Sequence, residues 1–552
     1  MNDASENNIS SIVNDDNGFH YYGLEQVEKQ KNATAIIYKT PARVIPVLFL
    51  PGVMGTNLMD GSGKSVWRLN NTLSTFGDWG FRGAEKRKRL LEPDKTFVDP
   101  NGSIDLEFYN EIGQFSTRRS RGWGEIGYMS YGDFLPWLQK SLNDNSTMEN
   151  NRKSKNGKLT LREKLIDINL NAELGEGNSI LTDDDDDDDD DDVEHSYKYL
   201  FPLHVVGYNW LQSNDLSANI LKEKIKIIVD GYNSRNMPCD KVILVTHSMG
   251  GFVARHYSEL LNGSDNILGV VHGVMPTLGS PMTYKRMKAG ESGGAGLVIG
   301  SDGAQMTSVL AQSPGPLQLL PSKRYGMGWL QIEGMSDGLP VNDPFEEIYK
   351  ERNAWWCLCE DRFINPEIEK IDNITLDAGW TKYLYIIEKK VQTFIENLDG
   401  KFHKNTYAFY GNDGDKYPSF GTLNWKGYTP GYYDRNHNKN TSDVAYRGVI
   451  YDPYNYEVSN IRTAYFESDP DKMQWKKKSY IISAPSSSGD GTVPVEGAKF
   501  ASDGLKAMLG VGVDHEGAFK NSDTENARLF TLRAIIKISK EINNAKLAYH
   551  ND

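Results

Sequence analysis

A serine, an aspartate and a histidine, in that order along the chain and each in a turn-like setting, are the residues best placed to do chemistry. Ser248 lies in Val245-Thr246-His247-Ser248-Met249-Gly250-Gly251, Asp490 in Ser488-Gly489-Asp490-Gly491-Thr492-Val493-Pro494, and His515 in Val513-Asp514-His515-Glu516-Gly517. A serine hydroxyl attacks a carbonyl carbon only when an imidazole takes its proton. The imidazole needs a carboxylate to fix its tautomer and steady its charged form. The three types together support acyl transfer through an acyl-serine, a reaction that calls for no metal and no cofactor. Other assignments stay open. Asp413 and Asp415 directly follow the apolar segment 406–410, where a simple hydrolase carries its acid, whereas Asp490 follows a long insertion. Gly489 and Gly491 permit a tight turn around Asp490, which favours it. Asp514 is the neighbour of His515, and adjacent side chains on a loop rarely reach the same ring nitrogen. His272 and His247 are next in line for the base.

These residues need elements to hold them. Five β-prone residues, 242–246, run into a polar corner and then into a segment, 252–261, that reads as a helix. Strand, sharp turn with serine at its apex, and helix make a nucleophile elbow, here with Thr246 at the position usually held by the first glycine. The turn lifts the Ser248 hydroxyl above the sheet and aims the first amides of the helix, Met249 N–H in particular, at the oxygen of a bound carbonyl. Upstream, the apolar run 47–50 breaks at Pro51-Gly52 into a glycine-bearing loop, whose Val53 N–H is the second expected oxyanion donor. Read structurally instead, the elbow is a turn between a buried strand and helix, and Pro51-Gly52 an ordinary strand end. His515 precedes 522–540, in which Leu529, Leu532, Ile535, Ile536 and Ile538 fit one helical face.

Strands read at 44–50, 203–208, 242–246, 267–274 and 406–410, with helical stretches between several of them, such as 215–230. Short apolar β-branched strands alternating with helices predict an α/β-hydrolase fold with a mostly parallel central sheet and large cap or lid insertions. The expected organisation is a flexible arm over 1–33, a first part of the hydrolase core over 34–280 with an insertion at 60–200, a cap or lid over 281–404, and the second part of the core over 405–552 with an insertion at 412–478. Within the cap, 383–398 reads as an amphipathic helix.

Together, Pro51-Gly52-x-x-Gly55-Thr56, Trp67, Tyr208-Asn209-Trp210, the elbow and Gly489-Asp490-Gly491-Thr492-Val493-Pro494 resemble the lecithin:cholesterol acyltransferase-like lipases. The elbow with 269–277 (Gly-Val-Val-His-Gly-Val-Met-Pro-Thr) resembles more closely the type VI secretion phospholipase effectors of bacteria, which are similar to PGAP-like hydrolases. The chain departs from the acyltransferases at Asn209, where they show aspartate. The resemblance implies a lipolytic serine hydrolase, with Ser248, Asp490 and His515 as its triad and membrane phospholipid as its substrate. It implies a cognate immunity protein, a secretion spike or adaptor protein, and action in the periplasm or membrane of a target cell after synthesis in the cytoplasm. The apolar, proline-bounded stretch 313–321 resembles the lid region of the acyltransferase-like lipases; a surface loop packed on the core is the alternative. An acyltransferase shares the same triad, and a binding module on a hydrolase scaffold is the non-catalytic alternative, although no triad member is missing.

Bulk properties bound these readings. The 552 residues exceed one minimal domain, and 38% hydrophobic with 25% charged residues is ordinary for a globular enzyme. The formal net charge is −14, but 183–192 is an unbroken run of ten aspartates, without which −4 remains. No basic face offers itself to nucleic acid. The aspartate run reads as a solvated, disordered tract, because consecutive carboxylates repel and lack the neutral carbonyl ligands of a calcium loop. Cys239, Cys357 and Cys359 read as buried thiols. The N-terminus lacks a basic and then apolar segment, so no signal peptide is expected, and no run of 18 apolar residues predicts a spanning helix.

Overall fold

The computed structural model describes residues 41–70, 79–107, 115–144, 160–165, 180–181, 189–366, 373–428, 457–469, 474–520, 525–542 and 547, together with three short N-terminal strands. The central sheet is built from β1 (Val47–Leu50), β2 (Ile180–Leu181), β3 (Leu203–Val205), β4 (Val242–His247), β5 (Ile267–Gly273), β6 (Thr406–Gly411) and β7 (Leu505–Val511), in the spatial order β2-β7-β6-β5-β4-β1-β3. Six strands run parallel, and the two-residue β2 pairs antiparallel at one edge. This is the α/β architecture expected from the strand–helix alternation.

The strands are apolar on both faces because both faces are covered. Phe49, Ile243, Val245 and Val271 point to one side, into a core with Leu532 and Ile535 of helix α3 (Asn526–Lys540). Leu48, Leu50, Val242, Leu244 and Val270 point to the other, against α1 (Asn214–Asn233) and α2 (Gly250–Leu260). Alternation with a period of two thus survives inside runs that show no polar alternation at all.

The segments read as separate insertions at 281–404 and 412–478 share one sheet. Its strands Leu330–Ile332, Leu423–Tyr428, Gln474–Ile482 and Ile461–Asp469 lie in that order. Trp329, Trp355, Trp425 and Tyr480 lie in its core with Tyr383 and Ile387. The helix expected over 383–398 is continuous from Asn373–Tyr385 through the π-bonded turn Ile386–Gln392 to Thr393–Leu398. Tyr383, Ile387 and Val391 pack in the core of this sheet, and Phe394 and Leu398 in the core of the central sheet with Phe252 of α2.

The arm over 1–33 carries strands Asn8–Val13 and His20–Tyr22, the former also pairing with Ile36–Tyr38, so it is not wholly irregular. The end of the aspartate run is ordered: helix Asp189–Ser196 includes Asp192, which is buried with Lys540 at 2.8 Å and Lys537 at 3.6 Å from its carboxylate. Lysines on α3 compensate the charge there, while 183–188 lie outside the described residues. The stretch 313–321 does not cover the cleft described below. Its Leu317, Leu319 and Leu320 are buried, and Gly315 sits so close to the Trp210 and Gln212 carbonyls that a side chain would not fit. Cys239, Cys357 and Cys359 are buried free thiols.

Candidate active site

β4 delivers Ser248 into a left-handed backbone conformation, φ 52°. For a non-glycine residue this costs about 1–2 kcal/mol. The surroundings hold it there, since Ser248 N–H donates to the Gly273 carbonyl at the end of β5 (2.9 Å) and α2 begins two residues on. Gly250 is required by proximity. A Cβ on it would lie 2.7 Å from the Pro51 and 2.8 Å from the Leu50 carbonyl oxygens, so only glycine lets the elbow helix rest on the end of β1. Thr246 faces the buried interior of β4, where its Oγ1 meets His272 Nδ1 at 2.8 Å. The hydroxyl is therefore satisfied, and the missing glycine leaves the elbow intact.

His515 and Asp490 arrive on the loops after β7 and before it. His515 Nε2 lies 2.8 Å from Ser248 Oγ, and its Nδ1 lies 2.8 Å from Asp490 Oδ2. Because a carboxylate only accepts, Nδ1 carries the proton and Nε2 is free to accept from the serine. Asp490 is itself fixed: its Oδ1 accepts from Thr492 N–H (2.9 Å) and Val493 N–H (2.6 Å), and its carbonyl accepts from His515 N–H (2.9 Å). The turn that allows this places Gly491 at φ 84°. Asp413 instead accepts from the amides of Asp415 and Lys416, and Asp514 from the amide of Gly517, so both carboxylates close local turns. His272 bonds Thr246, and His247 bonds Tyr131 and the His515 carbonyl.

The loop after β1 closes on itself through Gly55 N–H to the Gly52 carbonyl (3.0 Å). Tyr208 Oη donates to the Pro51 carbonyl (2.7 Å) and Trp67 Nε1 to the Met54 carbonyl (2.8 Å), which gives both aromatic residues a positional purpose. Val53 N–H and Met249 N–H take no hydrogen bond among the described residues, and Met249 stands at the N-terminus of α2, where the helix dipole favours negative charge. Asn209 donates to the Pro93 (3.0 Å) and Thr96 (2.9 Å) carbonyls, bonds that an aspartate could not make.

Ser248 opens onto a cleft of about 460 Å³. Val53, Met54, Leu69, Met129, Val298 and Ile299 give it apolar walls, and Arg286, Asp514 and Glu516 give it polar ones. Arg286 is held by Glu291 (2.8 Å); burial would raise that carboxyl, but Arg286 and Lys285 hold it down at about 2. Val298 and Ile299 come from the short helix Gly293–Ile299. Its last carbonyls are capped by the buried Arg87, which donates to Leu297 O (2.8 Å) and Val298 O (2.7 Å). Burial lowers the Arg87 guanidinium to about 10, so it stays charged. Nothing in the sequence marked Arg87 as a cap, because its partners lie some 210 residues away. A second cavity of about 250 Å³, between α2 and 394–402, contains none of the three residues Ser248, Asp490 and His515. Among the described residues there is no cluster of three or more groups that could hold a metal, and no helix long and apolar enough to cross a membrane.

With this geometry in place, known proteins were compared. Residues 208–293, which run from the α1 region through the elbow and β5, match the PGAP1-like alpha/beta domain family. A sequence search of curated proteins returns no match. A solved structure described as the crystal structure of the Tle4–Tli4 complex contains a chain that is 26% identical. The match has a TM-score of 0.68 and covers 90% of this chain and 98% of that one.

Proposed function

We propose that the chain is a lipolytic serine hydrolase that cleaves acyl esters of membrane phospholipids. The observation that carries this reading is the contact series from Ser248 Oγ through His515 to Asp490, two links of 2.8 Å at the side of an apolar cleft. Ser248 attacks the ester carbonyl while His515 Nε2 takes its proton. Asp490 holds the ring and stabilises its charged form. Val53 and Met249 amides receive the developing oxyanion; removal of one side-chain donor of this kind from other enzymes costs on the order of 3 kcal/mol. His515 then protonates the departing lysolipid. Water, deprotonated by the same nitrogen, releases the fatty acid and frees Ser248. The apolar walls suit an acyl chain, and no metal is called for.

The likeness to a chain of the Tle4–Tli4 complex supports an effector role in type VI secretion, with a dedicated immunity protein that binds it. On this reading the protein is made in the cytoplasm, loaded by a spike or adaptor protein, and acts in the periplasm or membrane of the target cell. Expression fused to a periplasmic export signal should lower viable counts far more than cytoplasmic expression. Free fatty acid and lysophospholipid should accumulate, and Ser248→Ala should be harmless in both compartments. Equal toxicity of the serine variant, or an unchanged lipid profile in dying cells, refutes the effector reading.

A further inference from the structure

Two buried side chains with no part in proton transfer link the loops that carry it. Gly52 N–H donates to Tyr131 Oη (3.0 Å), Tyr131 Oη meets His247 Nδ1 (2.7 Å), and His247 Nε2 meets the His515 carbonyl (2.8 Å). The direction of each bond follows from its partners. A carbonyl only accepts, so His247 carries its proton on Nε2. Its Nδ1 is then an acceptor, so the Tyr131 hydroxyl donates to it and uses its oxygen to accept from Gly52. The bonds thus run in one direction, from Gly52 N–H through Tyr131 and His247 to the His515 carbonyl.

We propose that Tyr131 and His247 are positioning residues that hold the oxyanion loop and the loop of the catalytic histidine in mutual register. This rests on the hydrolase reading above. One end of the chain of bonds fixes the Pro51–Gly52 peptide, and the next amide along the chain, Val53 N–H, is the proposed oxyanion donor. The other end fixes the backbone of His515, and the middle is the residue before Ser248. The contact is steric as well as polar, since a Cβ on Gly52 would lie 2.9 Å from His247 Nδ1. Tyr131 and His247 are 2% and 4% exposed, so water cannot replace the bonds. Burial also pushes the His247 imidazole down to about 3, which keeps it neutral and the direction of the bonds constant over the working pH range. The adjacent Ser130 Oγ donates to Glu516 (3.1 Å), so the short helix Tyr128–Tyr131 braces the histidine loop twice.

The test uses the full chain and a soluble short-chain ester, with Ser248→Ala as the control for the hydrolase reading itself. Tyr131→Phe keeps the ring and removes only the hydroxyl. It should lower kcat about 10–100-fold, the scale of a small misplacement of reacting groups, with KM within about twofold and the thermal midpoint near wild type. His247→Gln can still present an N–H toward the His515 carbonyl and should lose less than His247→Leu. Tyr131→Phe combined with His247→Leu should be no worse than His247→Leu alone, because both break one chain of bonds. Wild-type kcat in Tyr131→Phe, a loss confined to KM, or losses that multiply in the double variant would each overturn the proposal. Should the His247 variants not fold, the kcat and KM of Tyr131→Phe decide alone. An independent readout needs no turnover: imidazole nitrogen resonances of Ser248→Ala should show His247 as the Nε2–H tautomer. A dominant Nδ1–H tautomer rejects the arrangement even if activity exists.

Discussion

The choice among three carboxylates turns on who receives each oxygen. Among the three, Asp490 alone presents an oxygen, Oδ2, to His515 Nδ1, while Asp413 Oδ1 and Asp514 Oδ1 accept backbone amides of their own turns. Asp490→Ala should therefore lower kcat by about 10⁴, as loss of the triad acid does elsewhere, while Asp413→Ala and Asp514→Ala should retain most activity. A dead Asp413→Ala beside a normal Asp490→Ala would reverse the assignment. Asn209 makes a second residue-scale prediction. Replacing it by the aspartate of the acyltransferases removes its amide donor from the Pro93 and Thr96 carbonyls and buries a charge among acceptors. The expected cost is about 2–4 kcal/mol, read as a lower midpoint in denaturant. Legibility at this scale was uneven. Ser248, Asp490 and His515 stand out in the sequence because glycine-flanked turns and chain order constrain such residues, and in the structure their side chains meet. Tyr131 does not, since it lies in the irregular stretch 60–200 and acquires its partners only through tertiary contact.

Elements were legible where burial is complete and local. β1, β4, β5 and β6 are runs of apolar residues covered on both faces, and the segments read there overlap the observed strands. β7 is absent from the strands expected from sequence; Lys506 and Gly510 interrupt its apolar pattern, and pairing with β6 fixes it in the sheet. The helix Gly293–Ile299 runs against local propensity: three glycines in seven residues disfavour it, and capping by the distant Arg87 helps to hold it. Asp192 gives a prediction at this scale. Its carboxylate joins helix Asp189–Ser196 to Lys540 and Lys537 of α3, so Asp192→Ala should cost about 1–3 kcal/mol. Deleting 183–188 should leave the midpoint and ester hydrolysis nearly unchanged, whereas extending the deletion through 192 should lower the midpoint. Equal midpoints for the two deletions would mean that the pairing carries no weight.

At the scale of the whole molecule, the central sheet and the four-stranded sheet each have their own core, and the cleft is walled by Val53 and Met54 on one side and by the Gly293–Ile299 helix on another. The fold also stores an acid sensitivity. Burial pushes His204, His247 and His272 down to about 3 from an ordinary 6.5. Below pH 6.5 the unfolded chain takes up protons that the folded one refuses, so stability should be full above that pH and fall steadily as pH drops from 6.5 toward 3. A thermal midpoint unchanged between pH 7 and pH 4 would contradict this. The proposed phospholipid hydrolysis draws on the cleft and on Ser248, His515 and Asp490 beside it, and its products are the most direct test. Purified protein incubated with vesicles of bacterial phospholipid should release free fatty acid and lysophospholipid in equal amounts, and Ser248→Ala should lower the rate by at least about 10⁴-fold. Release that persists in Ser248→Ala, or wild-type protein that leaves the vesicle lipids intact, would contradict the account.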